Sequence, residues 1–185
     1  YLNHHPTTDT WHPFQEAAAL GYAGMTATRA IRELMQFKLF ELDVRGRTKY
    51  LKLQVDRRQL WEMAKPYLRT PVLNTLFTYD RRVLNVPSVR WAGESALARL
   101  SMVNEPQQQV VALTAEVAQK AKQEGIFFEP RKLADGIAVQ LWRYLPNMQI
   151  KENTAEQLSL WLSLRGNPDD RIQLALNDIE EKFKW

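Results

Sequence analysis

Gly-Tyr-Ala-Gly-Met-Thr-Ala-Thr-Arg-Ala-Ile-Arg-Glu-Leu, residues 21–34, is the stretch that decides the fold of the N-terminal third of the chain. Its apolar positions recur at the spacing of one helix face. These positions are Ala27, Ala30, Ile31 and Leu34. The stretch therefore predicts an amphipathic helix that begins at Met25 or Thr26 and ends near Phe37.

Two further elements flank this helix. Upstream, Thr10 precedes a segment with Pro13 in its first turn, which predicts a capped helix over 13–20 that Gly21 ends. Downstream, residues 39–44 and 48–53 alternate apolar and charged side chains around a glycine turn, which is typical of a β-hairpin. The order of helix, tight turn, helix and hairpin is that of a winged helix-turn-helix.

Duplex DNA can accept this order of elements. Its major groove admits one α-helix, and side chains near the N-terminal end of that helix reach base edges. Arginine contacts guanine or phosphate, and a glycine-containing basic turn fits a narrow minor groove. The candidate DNA-contacting residues are Thr26, Thr28, Arg29, Arg32 and Gln36 in the predicted helix, and Arg45, Arg47 and Lys49 in the predicted hairpin.

The positive charge of the chain is concentrated in the same region. The 185 residues contain 25 Lys and Arg against 21 Asp and Glu, a formal net charge of +4. Residues 1–69 contain 11 basic and 7 acidic side chains, whereas residues 70–185 contain 14 of each. Within residues 28–58 the counts are 9 and 4. Because phosphate contacts dominate affinity for DNA, this concentration favours DNA binding over a purely packing role.

Segment 21–34, the Lys-Leu-Phe-Glu-Leu at 38–42 and the basic hairpin together resemble the winged helix-turn-helix of MarR-like bacterial transcription regulators. The resemblance covers residues 10–53. It implies that the helix from Met25 is the recognition helix and that residues 39–53 form the wing. The sequence departs from the family at Lys38, where many relatives carry glycine. The family's preceding helices are short or missing here, which predicts a domain truncated at its N-terminus.

A second domain is expected after Thr70-Pro71, where the pattern changes. Strands alternate with helices there, as in a small mixed α/β domain. The predicted strands are 72–79, 110–113 and 137–144, and the predicted helices are 91–101, 115–124, 154–164 and 168–183; a helix over 57–67 completes the first domain. We therefore expect an α+β protein with a winged helix over residues 1–69. Residues 70–185 would serve oligomerisation, sensing or partner binding.

Three other groups of residues have two interpretations each. Glu94 and Ser95 fit a catalytic pair or, as we prefer, the solvated start of a helix. His4, His5 and His12 lack the spacing of zinc ligands, which favours an exposed polar lead-in over a metal site. The aromatic residues of the second half have two interpretations: they line a ligand pocket or dimer interface, or they form an ordinary core. We favour the core. The aromatic residues are Phe127, Phe128, Trp142, Tyr144 and Trp161.

Several function classes are disfavoured by what the chain lacks. It contains no cysteine, which excludes disulfides and thiolate metal sites and favours a cytoplasmic location. It has no apolar run of the roughly 18–20 residues that cross a membrane, and it does not open on a signal-peptide pattern. Phosphate-binding loops, hydrolase elbows and zinc-protease motifs are also missing, so we expect no enzyme, cofactor or metal site.

The sequence thus predicts a cytoplasmic, sequence-specific transcription regulator that binds double-stranded DNA, with a homodimer suited to a two-fold operator. A competing hypothesis rests on residues 90–98 and the two-domain layout, which resemble AbiEi-type antitoxins. That resemblance implies a C-terminal domain that binds a toxin while the winged helix represses its own operon. The sequence is also compatible with a winged helix that serves protein interaction alone, and with an enzyme whose site carries no recognised motif.

Overall fold

The computed structural model describes residues 10–19, 22–144, 146 and 153–183. These residues form a mixed α+β fold with seven α-helices and two β-sheets, which confirms the α+β class expected from the sequence. They divide into two compact units. We call them the N-terminal unit, which extends to Leu68, and the C-terminal unit, which starts at Arg69.

The described residues of the N-terminal unit form three helices and a three-stranded sheet. The elements are β1 (Thr10–Trp11), α1 (Pro13–Ala19), α2 (Gly24–Gln36), β2 (Phe40–Arg45), β3 (Thr48–Leu53) and α3 (Arg57–Ala64). The sheet has the order β1-β3-β2 and is antiparallel throughout. The expected hairpin is present as β2 and β3, with Arg45 opposite Thr48 at its turn.

The core of the N-terminal unit lies between α2 and one face of this sheet. Its buried cluster consists of Trp11, Leu39, Phe40, Leu51 and Leu53. Ile31 and Leu34 of α2 pack against the cluster, and Ala27 is also buried. Ala30, which was expected on the same face, is exposed. It lies at the margin of the helix face, so the buried part of α2 is narrower than the apolar spacing suggested.

The start of this unit differs from the prediction. Thr10 lies in β1, where it pairs with Lys52, and does not cap α1. His12 caps α1 instead, because its Nδ1 accepts a hydrogen bond from the amide of Gln15 at 3.3 Å. A two-residue strand is too short to produce an alternating pattern, so the side chains could not reveal β1. Gly21, which was expected to end α1, lies outside the described residues.

The described residues of the C-terminal unit form a four-stranded mixed sheet and four helices. The elements are β4 (Val72–Thr78), a 3₁₀ turn (Arg81–Asn85), β5 (Arg90–Trp91), α4 (Gly93–Leu100), β6 (Val110–Thr114), α5 (Ala115–Gln123), β7 (Ile137–Trp142), α6 (Gln157–Leu164) and α7 (Asp170–Lys182). The sheet has the order β4-β7-β6-β5. Strands β6 and β7 are parallel and are connected through α5, whereas the other two pairs are antiparallel.

Both faces of this sheet are covered. On one face, Val111 and Leu113 of β6 belong to a cluster with Ala118 and Ala121 of α5. On the other face, Ala112 belongs to a buried cluster with Trp142. A separate cluster joins α4, α6 and α7. Its members are Ala96, Leu97, Leu160, Leu164, Ile172, Ala175, Leu176 and Ile179.

Helices α4 and α6 of the C-terminal unit start two to three residues later than predicted. Trp91 lies in β5, and α4 begins only at Gly93, because Ala92 is extended and Gly93 has a φ of 50°. A side chain at Gly93 would lie 3.0 Å from Cγ1 of Val110, so the chain turns there at glycine. Thr154 forms a bridge with Trp91 instead of opening α6, which starts at Gln157.

The two outer strands of this sheet, β4 and β5, have hydrogen-bond partners for some of the backbone groups on their unpaired sides. On β5, Trp91 exchanges two backbone hydrogen bonds with segment 153–155. On β4, the amide of Thr75 donates to the side-chain Oδ1 of Asn74 at 2.8 Å, next to an irregularity between Val72 and Asn74. These contacts occupy backbone groups that a further strand would need.

Candidate nucleic-acid interface

Helix α2 carries a row of exposed side chains opposite its buried face. The row consists of Met25, Arg29, Arg32 and Gln36. Steps of four, three and four residues place these side chains on one face of a helix. All four are exposed, and Met25 is 73% exposed. We call this row the outer stripe of α2, and it brings three of the predicted DNA-contacting residues together.

Thr26 and Thr28 are exposed as well, on either side of the outer stripe. The hydroxyl of Thr28 donates to the carbonyl of Gly24 at 3.0 Å, so its hydrogen is engaged and its oxygen remains free to accept. At the start of α2, Ala23 makes no side-chain cap, and the first turn carries no acidic residue. This end of the helix therefore favours a negatively charged group.

The hairpin turn depends on a glycine. Gly46 has a φ of 61° and occupies the first of two turn positions between the paired residues Arg45 and Thr48. Positive φ at this position is typical of a type II′ turn, which matches the twist of the strands. The turn leaves Arg45 and Arg47 exposed at the end of the hairpin.

Arg45 is held by two neighbours on the hairpin. Its Nε and Nη2 lie 2.8 and 2.7 Å from Oδ2 of Asp43, and its guanidinium carbon lies 5.2 Å from the ring centre of Tyr50. The Arg45 side chain is nevertheless 63% exposed. The two contacts limit the rotamers of Arg45 while part of its donor set still faces solvent.

Strand alternation distributes the basic side chains of the hairpin over both of its faces. Lys49 lies opposite Val44, on the face that carries Leu51 and packs against α2. Arg45 lies on the other face, and Arg47 lies in the turn between them. The prediction from the sequence grouped these residues as one basic surface. In the structure, Arg45 and Lys49 lie on opposite faces of the hairpin.

Sequence reasoning missed three residues of this surface. Met25 completes the outer stripe, and its place could have been found by continuing the spacing of Arg29 and Arg32 backwards by one step. Asp43 and Tyr50 hold Arg45, and the alternation of the hairpin strands would have placed all three on one face. Asp43 was counted only as an acidic charge.

The candidate pair Glu94 and Ser95 has a different arrangement from the expected one. Ser95 is fully buried, and its Oγ accepts a hydrogen bond from the amide of Val110 at 2.9 Å, which connects α4 to β6. The expectation that Ser95 lies at a solvated helix start is therefore wrong. Glu94 accepts a hydrogen bond from Asn167 at 3.3 Å. The two side chains thus have different partners.

The structure also gives positions for some of the histidine and aromatic residues that the sequence analysis considered. His4 and His5 lie outside the described residues, and His12 caps α1. Among the described residues no group of three His, Asp or Glu side chains is arranged to hold a metal ion. Of the aromatic residues, Trp142 is buried in the core, whereas Phe127 is 82% exposed.

The C-terminal unit has a surface cavity of about 350 Å³ beside α4 and α7. Its charged lining side chains are Arg99, Asp178 and Lys182. Arg99 forms an ion pair with Glu105 at 2.7 Å, and Lys182 lies 3.4 Å from Asp178. These charges already have partners within the unit, so the cavity offers no unbalanced charge for a ligand.

Among the described residues of the C-terminal unit, two carboxyl groups have a pKa below the ordinary value, and both lie at the start of a helical turn. Hydrogen bonds from the Arg82 side chain lower the pKa of Asp80, and those from Arg171 lower the pKa of Asp169. In each case the backbone amide of the same arginine adds to the effect. These shifts belong to helix caps and not to the surface formed by α2 and the hairpin.

Within the described parts of the chain, every helix is too short or too polar to cross a lipid bilayer. No protein-family model matches the chain, and neither a curated protein nor a solved structure matches it.

Proposed function

We propose that the N-terminal unit is a winged helix-turn-helix that binds duplex DNA in a sequence-specific manner, and that the protein is a transcription regulator. The observation that carries this proposal is the outer stripe of α2, where Arg29, Arg32 and Gln36 are exposed on one face of a helix next to a basic hairpin. In this proposal α2 is the recognition helix, and β2 and β3 form the wing.

The chemistry of the outer stripe suits the edges of base pairs. Arginine donates two parallel hydrogen bonds to the O6 and N7 of guanine, and glutamine does the same for adenine with one donor and one acceptor. Side chains three and seven residues apart lie on successive turns of one helix face, so they reach neighbouring base pairs in one groove. The buried opposite face fixes the rotation of α2, because Ile31 and Leu34 are packed into the core.

The hairpin supplies the second contact. Arg47 lies in the turn and Arg45 beside it, and both side chains are exposed. An arginine that enters a narrow minor groove gains from the enhanced negative potential there. Because Asp43 and Tyr50 already restrict Arg45, less side-chain entropy is lost when it binds.

The remaining features of the proposal follow from a regulator of this type. It acts where chromosomal DNA lies, which for a bacterial protein is the cytoplasm, and a homodimer would bind two half-sites about one helical turn apart. The proposed activity is DNA binding, and the proposal assigns no catalytic step to the chain.

Selection of bound fragments from random duplex DNA at moderate salt tests binding, specificity and half-site symmetry together. The expected result is one enriched motif, repeated as a palindrome if the protein binds as a dimer. Failure to enrich any sequence would contradict the proposal and leave a winged helix that serves protein interaction alone as the better explanation. Co-purification with a protein encoded beside it would then be the next measurement.

Replacement of Arg29 and Arg32 together by alanine should weaken binding to the enriched duplex by several kcal/mol, because each contact contributes about 1–3 kcal/mol. Fluorescence anisotropy with labelled duplex measures the change. The matched control is Arg57 and Arg58 to alanine, which removes the same charge from α3, outside the outer stripe. Equal losses in the two double variants would mean that α2 contributes only charge and is not the recognition helix.

A further inference from the structure

Met25 is the most exposed large apolar residue described in the N-terminal unit, at 73%. A single exposed apolar residue is ordinary on a protein surface. Met25 differs because it continues the row of Arg29 and Arg32 by one helical step and is the second residue of α2. It therefore lies at the end of the helix that enters a groove first when α2 binds as proposed.

Met25 is exposed and lies away from the side of α2 that packs into the core. The buried face of α2 is formed by Ala27, Ile31 and Leu34, which lie on the other side of the helix. The neighbours of Met25 in the outer stripe are long polar side chains. A thioether there remains in water in the free protein, and its burial against a ligand is a source of binding free energy.

We propose that Met25 is a specificity-determining residue that contacts the C5-methyl group of a thymine in the major groove. Thymine is the base with a methyl group on its major-groove edge, and it is recognised there by apolar contact. The unbranched, flexible side chain of methionine adapts to such a methyl group. Arg29, one step further along the stripe, then faces the next base pairs. This inference rests on the proposed function and assigns a base type to one end of α2.

The experiment uses the duplex enriched by the selection described above and the full-length protein. Each thymine is replaced in turn by deoxyuridine, which removes the methyl group and leaves the hydrogen-bonding edge unchanged. Affinities are measured for the wild type, Met25→Ala, Met25→Leu and Met63→Ala. Met63 is the matched control, because it is 50% exposed in the same unit but lies on α3. Circular dichroism verifies that each variant is folded.

At one thymine per half-site, removal of the methyl group should weaken wild-type binding about fourfold, the factor that corresponds to burial of one methyl-sized group. The same replacement should leave the affinity of Met25→Ala unchanged. Met25→Leu should retain the sensitivity, because leucine preserves an apolar contact, and Met63→Ala should behave like the wild type.

Two results would overturn the inference while the proposed function stands. One is a duplex that binds specifically but has no thymine whose methyl group matters to the wild type. The other is a methyl sensitivity that persists in Met25→Ala, which would assign the contact to another residue. A selection that enriches no duplex removes the proposed function itself, and the inference with it.

Discussion

Lys38 occupies a backbone conformation that suits glycine better than lysine. Its φ is 56°, and it follows the last turn of α2, where its amide donates to the carbonyl of Met35 at 3.3 Å. Helices commonly end on a residue in this left-handed region, usually glycine, because a Cβ atom there is crowded by the backbone. Lysine at this position therefore has a conformational cost.

Lys38→Gly should therefore stabilise the N-terminal unit by roughly 0.5–1 kcal/mol. This net gain is the strain energy that glycine relieves, reduced by the cost of ordering glycine, which has more conformational freedom in the unfolded chain. Urea unfolding followed by tryptophan fluorescence measures the change. Lys38→Ala is the control, because alanine removes the charge but keeps the Cβ atom. A gain in Lys38→Ala equal to that in Lys38→Gly would assign the effect to charge.

Gly93 gives the opposite expectation in the C-terminal unit. A Cβ atom there would combine a φ of 50° with an approach of 3.0 Å to Cγ1 of Val110. Gly93→Ala should destabilise this unit by about 1–2 kcal/mol, as expected for a left-handed residue that is not glycine. Gly166→Ala is the matched control, because nothing lies within 4 Å of a Cβ atom at that position. Similar unfolding midpoints for the two variants would contradict the expectation.

At the scale of elements, α7 is fixed at its start by an ionised carboxylate. Asp169 accepts hydrogen bonds from the backbone amide of Arg171 at 2.9 Å and from its Nη2 at 2.7 Å, and its pKa lies below the ordinary 3.8. A carboxyl group whose pKa is lowered by folding stabilises the folded state above its unfolded pKa. That contribution is lost as the pH falls through the folded pKa.

The free energy of unfolding of the wild type should therefore fall more steeply below about pH 3.8 than that of Asp169→Asn, which keeps a capping acceptor but has no charge to lose. Urea titrations between pH 7 and pH 3 measure this. Asp170→Asn, in the first turn of the same helix but outside the pair with Arg171, is the control. An equal acid dependence in all three proteins would mean that the Asp169 pair does not contribute.

Elements with several turns or several alternating residues could be predicted from the sequence to within a few residues. The hairpin, α2 and α5 are examples. Gly46 marks the turn of the hairpin, Thr114 and Gly125 mark the ends of α5, and the spacing of apolar residues was sufficient for α2. The strands β1 and β5 were missed, because two residues produce no periodicity and are held by tertiary pairing alone. The helix expected over 57–67 ends at Ala64, and Pro66 lies in the turn that follows.

The part of the candidate site that lies on a periodic element could be predicted from the sequence. Helical spacing was sufficient to place Arg29 and Arg32 on the exposed side of α2. The sequence could not show that Asp43 and Tyr50 hold Arg45, because this depends on the register of two paired strands. Nor could it show that Ser95 is buried, since the hydrogen-bond partner of this helical residue is fifteen residues away in β6.

For the whole molecule, the division of charge makes a prediction about salt. If the N-terminal unit alone contacts phosphates, Arg47→Ala and Lys49→Ala should each reduce the slope of log K against log salt concentration by about 1. Arg131→Ala and Lys132→Ala, which remove exposed charges from the C-terminal unit, should leave the slope unchanged. The measurement is the affinity of each variant for the enriched duplex at about ten salt concentrations between roughly 50 and 300 mM. A slope that falls equally in all four variants would extend the DNA contact to both units.

The contact between Asn74 and the amide of Thr75 has a consequence for how the protein behaves in crowded solution. An outer strand with open backbone groups is a template on which other chains add as strands, and repeated addition gives fibrils. In β4 one of these groups is occupied by a neighbouring side chain, and the register of the ladder shifts beside it. We therefore expect β4 to be a poorer template for amyloid-like stacking than an outer strand whose backbone groups are all open.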